Sequence, residues 1–281
     1  MFTRAPFDRL WALLQRAIAP PPGAGRIALA LVYGAVCHLV FAAAISAMIY
    51  AMFFGLSQGL GRVDWPLATF ANLALLLQFP LLHSALLSAR GRAILSKLGP
   101  KPHGATLATT TYAIIASLQL LALFVFWTPS GIIWFEAEGW LFWIICAAYA
   151  TSWLLLALSI YEAGVELQSG ALGWLSLLAK VKPVFPDMPT GGIFRLIRQP
   201  IYVAFALTLW TVPVWTPDQL ALAVTWTAYC LIAPILKERR FAKIYGARFR
   251  AYQARVPYAL PRLGRVAEPK AAQTTGHSAD G

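Results

Sequence analysis

Long apolar runs separated by short stretches of charge, glycine and proline set the pattern of this chain. A run of about 20 apolar residues forms a helix long enough to cross a bilayer core roughly 30 Å thick. Six such runs lie near 27–54, 67–88, 106–127, 140–161, 200–216 and 218–236. A further apolar piece, Ala171 to Ala179, is too short to span and is expected to lie at the interface or to re-enter. Pro200 suits the first turn of a helix, where its missing N–H does no harm. Thr216-Pro217-Asp218 predicts a tight turn with Asp218 capping the sixth span, which makes the last two spans an antiparallel hairpin. Ahead of the first span, Phe7 to Ile18 sets Leu10, Trp11, Leu13 and Leu14 against Arg9, Gln15 and Arg16, the pattern of a helix lying on a membrane surface. The expected fold class is all-α: a polytopic membrane protein of about six spans.

Composition agrees, since 59% of the 281 residues are hydrophobic and only 12% are charged. Charge then orients the spans, because short loops rich in Lys and Arg stay in the cytoplasm. Arg4, Arg9, Arg16 and Arg26 precede the first span; Arg90, Arg92, Lys97 and Lys101 follow the second. Lys180, Lys182, Arg195 and Arg198 follow the fourth, and the tail from Lys237 onward is strongly basic. The alternate loops hold Arg62 with Asp64, then Glu136 and Glu138, then Asp218. Both termini are therefore expected in the cytoplasm. The net charge of +12 is spread over these segments rather than gathered in one groove, so it argues for anionic lipid as a partner and against nucleic acid. The expected division is a basic amphipathic segment (1–26), a four-helix transmembrane part (27–161), a connection (162–199), a hairpin with a lid (200–265) and a disordered tail (266–281).

Metal and nucleotide chemistry find few ligands here. Cys37, Cys146 and Cys230 all fall within spans without metal-ligand spacing, and the four histidines form no His-x-x-x-His pattern. Neither a Gly-x-Gly-x-x-Gly nor a phosphate-cradling Gly-Lys-Ser/Thr motif is present. His83 stands out, because an ionisable side chain within a span is costly and either marks function or bonds, uncharged, to a neighbouring helix. It follows Gln78-Phe79-Pro80 close to the cytoplasmic end of the second span. His38, beside Cys37, reads instead as a packing contact.

Polar chemistry is concentrated in the last third. Arg198-Gln199-Pro200-Ile201-Tyr202 opens the hairpin and Lys237-Glu238-Arg239-Arg240 closes it, so both polar ends return to one membrane face. Tyr245-Gly246, Phe249, Tyr252 and Val256-Pro257 follow, with enough apolar weight for the tail to fold back as a lid. These residues resemble, in order and spacing, the membrane S-adenosylmethionine-dependent methyltransferases, which include the isoprenylcysteine carboxyl and phospholipid methyltransferases. That signature runs Arg-His-Pro-x-Tyr, a hairpin, Glu-Glu-x-x-Leu, Phe-Gly-x-x-Tyr-x-x-Tyr and Val-Pro-x-x-x-Pro. The chain is most similar to the methanethiol S-methyltransferase and NnrU-like branch, through Gln78 to Ser84 and Thr111-Tyr112 to Phe126-Trp127 as well.

The resemblance implies methyl transfer from S-adenosylmethionine to a small thiol or lipophilic acceptor, at the cytoplasmic side of what is expected to be a bacterial inner membrane. It implies catalytic roles for Arg198, Glu238 and Arg239, and cofactor contacts from Gln199, Pro200, Ile201, Tyr202, Lys237, Glu238, Tyr245, Gly246 and Tyr252. Gln199 stands where the motif has histidine and Lys237 where it has its first glutamate; Phe194 and Phe249 replace tyrosines. Two other readings remain open: a non-catalytic membrane protein derived from this fold, and a nicotinamide-dependent membrane reductase with a related hairpin.

Overall fold

The computed structural model describes residues 6–261; the expected disordered tail (266–281) and the first five residues lie outside them. Ten helices follow in order: α1 (Pro6–Ile18), α2 (Ala24–Phe53), α3 (Leu67–Leu86), α4 (Ala89–Leu98), α5 (Gly104–Phe126), α6 (Gly139–Gln168), α7 (Ala171–Leu178), α8 (Pro200–Trp210), α9 (Pro217–Tyr245) and α10 (Ala247–Arg255). Two short strands, β1 (Phe135–Glu136) and β2 (Val214–Trp215), pair antiparallel. The molecule is thus an all-α polytopic membrane protein. Among the described residues, α2, α3, α5, α6 and α9 are long and apolar enough to cross a bilayer. Their outward faces carry exposed large apolar side chains such as Leu39, Phe70, Leu118 and Leu154, which only lipid covers at no cost.

The fifth crossing departs from the expected helix over 200–216. Only Pro200–Trp210 is helical, and 11 residues at about 1.5 Å each reach barely half a bilayer core. Extended backbone completes the distance, and its polar groups are satisfied by pairing: Val214 and Trp215 lie against Glu136 and Phe135, immediately before α6. A hydropathy run records apolarity but not whether the backbone bonds within a helix or to a neighbouring strand.

The ends of the bundle are tied separately. At the end opposite the lid, Leu60 N bonds Val125 O at 2.7 Å, Asn72 exchanges bonds with Thr128 at 2.8 and 3.0 Å, and Thr216 donates to Gly55 O. Thr216, rather than Asp218, caps α9, accepting from Gln219 N at 2.9 Å. Pro217 occupies the first helical position and places the cap one residue earlier; Asp218 instead accepts from Ser130 N and Oγ at 2.9 and 2.6 Å. Between the ends, Trp226 is fully buried among Phe79, Phe124 and Phe205, and its indole N–H bonds Leu76 O at 3.1 Å.

The apolar piece at 171–179 becomes α7, packed inside the bundle against α2 and α5 rather than flat on its surface. Leu172, Leu175, Leu177 and Leu178 are buried, and the Trp174 indole donates to His38 at 3.1 Å. The helix α1 docks on α6 and α7, and its Arg9 pairs at 3.3 Å with Glu166, which is 2% exposed. A short helix unforeseen in the sequence, α4, is capped by Ser88, which accepts from Gly91 N at 3.0 Å.

Thr216→Val keeps the side chain's shape while deleting a cap and a buried bond to Gly55. The expected loss is about 2 kcal/mol, the sum of a cap and a net hydrogen bond, seen as a lower unfolding midpoint in detergent; an unchanged midpoint refutes the capping role.

Candidate active site: a cleft between the hairpin and its lid

At 29 residues, α9 outruns the bilayer. Lys237 lies 20 positions beyond Pro217, roughly 30 Å along the axis, so Lys237 and Glu238 emerge where the membrane ends. Arg198 and Gln199 precede the first turn of α8, whose Pro200 at the first helical position fixes where the helix begins. The N–H groups of Arg198 and Gln199 bond Pro257 O and Tyr258 O at 2.9 and 3.1 Å. The Val256-Pro257-Tyr258 segment therefore seals the start of α8, which is the physical content of that part of the motif.

Arg198 is the hub. Its Nε donates to Glu238 Oε1 at 2.8 Å and its Nη2 to Oε2 at 3.3 Å, a bidentate pair with both side chains about nine-tenths buried. The Nη1 atom donates to the lid carbonyls of Val256 (2.5 Å) and Gln253 (3.2 Å), and the guanidinium lies 5.5 Å from the Tyr258 ring centroid. Gln199 Nε2 adds a bond to Glu238 Oε1 at 2.7 Å, and Gln253 Nε2 one to Oε2 at 2.8 Å. Two donors now meet each Glu238 oxygen, which fills the carboxylate. Gln253 was not singled out by the sequence reading; a glutamine in a basic amphipathic helix carries no signal until the lid is folded over.

The lid is α10. Gly246 turns the chain from α9 into it with φ at +52°, a region that favours glycine. Phe249, Tyr252 and Val256 are buried with Met188, and Phe241 and Tyr245 pack against them. Tyr252 donates to Phe194 O at 2.6 Å, and burial pushes its phenol up to about 12, so it remains a donor at any ordinary pH. On the outer side, Arg248 pairs with Asp187 at 2.6 Å. Burial works to raise the Asp187 carboxyl, but the bonds from Arg248 and from its neighbour Met188 N–H outweigh it and hold the group below its ordinary value.

Pro189, Phe194, Arg198, Gln199, Lys237, Glu238, Phe241, Phe249 and Tyr252 line a cleft with about 220 Å³ of empty space, part of it open to solvent. Five of the expected site residues thus meet there. Pro200, Ile201 and Tyr202 form the first turn of α8, and the Tyr202 ring lies 5.4 Å from Lys237 Nζ. Tyr245 and Gly246 form the lid corner. Arg239 does not join the cleft: one position on from Glu238 it turns about 100° around α9 and is exposed. His83 sits deeper, between α3 and α5, with Nε2 2.6 Å from the Tyr112 hydroxyl and its ring against Phe79.

The fold and site define a class: an integral membrane protein with a C-terminal helical hairpin closed over a polar cleft by a short helix. Within it, the chain is similar to the methanethiol S-methyltransferase of Pseudomonas deceptionensis, 27% identical over 203 residues, 72% of this chain and 76% of that one. It is similar to the enzyme of the same name from Crocosphaera subtropica, 26% identical over 249 residues, 84% and 92% of the two chains. A shorter similarity reaches Nurim of Xenopus laevis, 30% identical over 146 residues, 48% of this chain and 51% of that one. No family model and no solved structure matches the chain. The motif resemblance to the membrane methyltransferases is borne out by these relatives.

Two outcomes test the lid. Tyr252→Phe leaves Phe194 O buried and unpaired, which costs about 1–3 kcal/mol and is expected to speed amide exchange across 247–255 while the spans stay protected. Asp187 is depressed in the folded state, so its contribution is present above its ordinary value of 3.8 and is lost as pH falls through the lower folded value. Lid protection is therefore expected to drop on acidification below about pH 4, and Asp187→Asn to abolish that step.

Proposed function

We propose that this chain transfers a methyl group from S-adenosylmethionine to a small thiol at the lid-covered cleft. The observation that carries the reading is convergence: Arg198, Gln199, Glu238 and Tyr252, scattered over 55 positions, meet at one cleft, in a chain similar over most of its length to methanethiol S-methyltransferases. We also propose that the lid end faces the cytoplasm. It gathers Arg26, Arg92, Lys180, Arg195 and the α9–α10 cations, whereas the opposite end holds Arg62 beside two glutamates and two aspartates.

The residues fit the donor in kind. Phe194, Phe241, Phe249 and Tyr252 offer an aromatic wall to an adenine ring, and Gln199 leaves Oε1 buried without a partner among the described residues. The enclosed part of the cleft, about 10 Å³, holds little more than one water molecule and is far below the roughly 300 Å³ at which small-molecule sites begin, so admission requires α10 to swing about Gly246 and break the Gln253–Glu238 bond. When bound, S-adenosylmethionine supplies a methyl carbon attached to a sulfonium and open to displacement by a thiolate. The chain's part is positional. Arg198 and Glu238 fix the floor of the cleft, and the aromatic lid excludes water from it.

A second reading, a non-catalytic membrane protein derived from this fold, is favoured by one observation: Glu238 is already filled by Arg198, Gln199 and Gln253, as a structural knot would be. Purified chain supplied with methyl-labelled S-adenosylmethionine and short alkyl thiols separates the two. Labelled thioether, reduced at least tenfold by Glu238→Ala, is the expected result. Absence of product from every thiol, with a folded wild-type chain, moves the non-catalytic reading to first place.

A further inference from the structure

Two polar groups of the cleft remain unfilled. Lys237 reaches it at the membrane boundary, 5.4 Å from the Tyr202 ring centroid and 5.7 Å from that of Phe241. Among the described residues no carboxylate lies within 4 Å of its ammonium, because its neighbour Glu238 is taken up by Arg198. Ring faces attract the charge but accept no conventional hydrogen bond, so the three N–H donors keep their capacity. The second group is Gln199 Oε1, on a side chain 2% exposed and with no partner. Its identity as oxygen is fixed by chemistry. The other amide atom lies 2.7 Å from Glu238 Oε1, and an ionised carboxylate only accepts, so that atom is the NH₂.

A cation with spare donors and a buried carbonyl with spare lone pairs, lining one cleft, complement an anion and an ammonium carried by one ligand. We propose that Lys237 and Gln199 Oε1 seat a zwitterionic α-amino acid head, Lys237 taking its carboxylate and Gln199 Oε1 its ammonium. The inference rests on the methyl-donor reading above, whose ligand ends in such a head. Glu238 then acts from behind, holding the Gln199 amide so that its oxygen is presented. Lys237 and Gln199 also stand where the motif has a glutamate and a histidine, and the pairing gives both departures one purpose.

Binding to the full-length chain in detergent tests this without turnover. S-adenosylhomocysteine carries the complete head and no sulfonium charge; methylthioadenosine carries the same nucleoside and no head. The expected result is at least a tenfold preference of the wild type for S-adenosylhomocysteine. Lys237→Met is expected to lose about tenfold for S-adenosylhomocysteine and nothing for methylthioadenosine, with Lys237→Arg restoring the preference. Gln199→Leu is expected to act in the same direction. Equal binding of the two ligands by the wild type, or equal weakening of both by Lys237→Met, overturns the seat and leaves the methyl-donor reading standing. A folded wild type that binds neither ligand at millimolar concentration overturns both.

Discussion

The Arg198 guanidinium is the constraint from which the polar half of this protein follows. It touches the hairpin's second helix through Glu238, the lid's backbone through Gln253 O and Val256 O, and the lid's aromatic edge at Tyr258. Removing either charge leaves the other largely buried at a membrane boundary, where an unpaired ion costs several kcal/mol. The pair therefore serves more to fix geometry than to add stability. With it in place, the start of α8 and the end of α9 have one separation, and α10 has one place to lie.

The spans supply the rigid frame for that geometry. Within lipid no water completes a backbone, so each crossing must satisfy itself. Five crossings do so as long helices, and the one between α6 and α9 does so as the short helix α8 continued by backbone paired to β1. Side-chain bonds such as Asn72–Thr128, Gln78–Gln119 and Tyr149–Ile49 O hold neighbouring helices in register where apolar contact alone discriminates little. Gly192, with φ at +51° and the Glu162 carboxylate 2.0 Å from where a Cβ would stand, brings the connection back across the end of α6 toward the cleft.

A closed lid and a small cleft describe a resting arrangement. The Gln253–Glu238 bond and the more exposed Asp187–Arg248 pair tie the lid to the rest of the chain. The apolar seal of Phe249, Tyr252 and Met188 is larger, so lid motion is the step at which a thiol methyltransferase of this form would control access.

The sequence by itself determined the solvent, the spans and the place of the polar chemistry. Hydropathy runs found each of the five long helices, because lipid demands about 20 apolar residues whatever they pack against. The spacing from Arg198 to Val256-Pro257 pointed to the polar cleft, because a hairpin returning to its own side brings those positions together. Tertiary structure alone decided the rest. It showed that the run at 200–216 is helical only as far as Trp210 and ends in a two-residue strand, since apolarity does not record a hydrogen-bond partner. Asp218 gave up the cap to Thr216, since Ser130 lay within its reach. The buried α7 was set by room between α2 and α5. Arg239 follows Glu238 in the motif but does not line the cleft, since one residue of helix turns a side chain by about 100°. Gln253 became a partner of Glu238 only once α10 closed, because a contact between distant segments has no local signature.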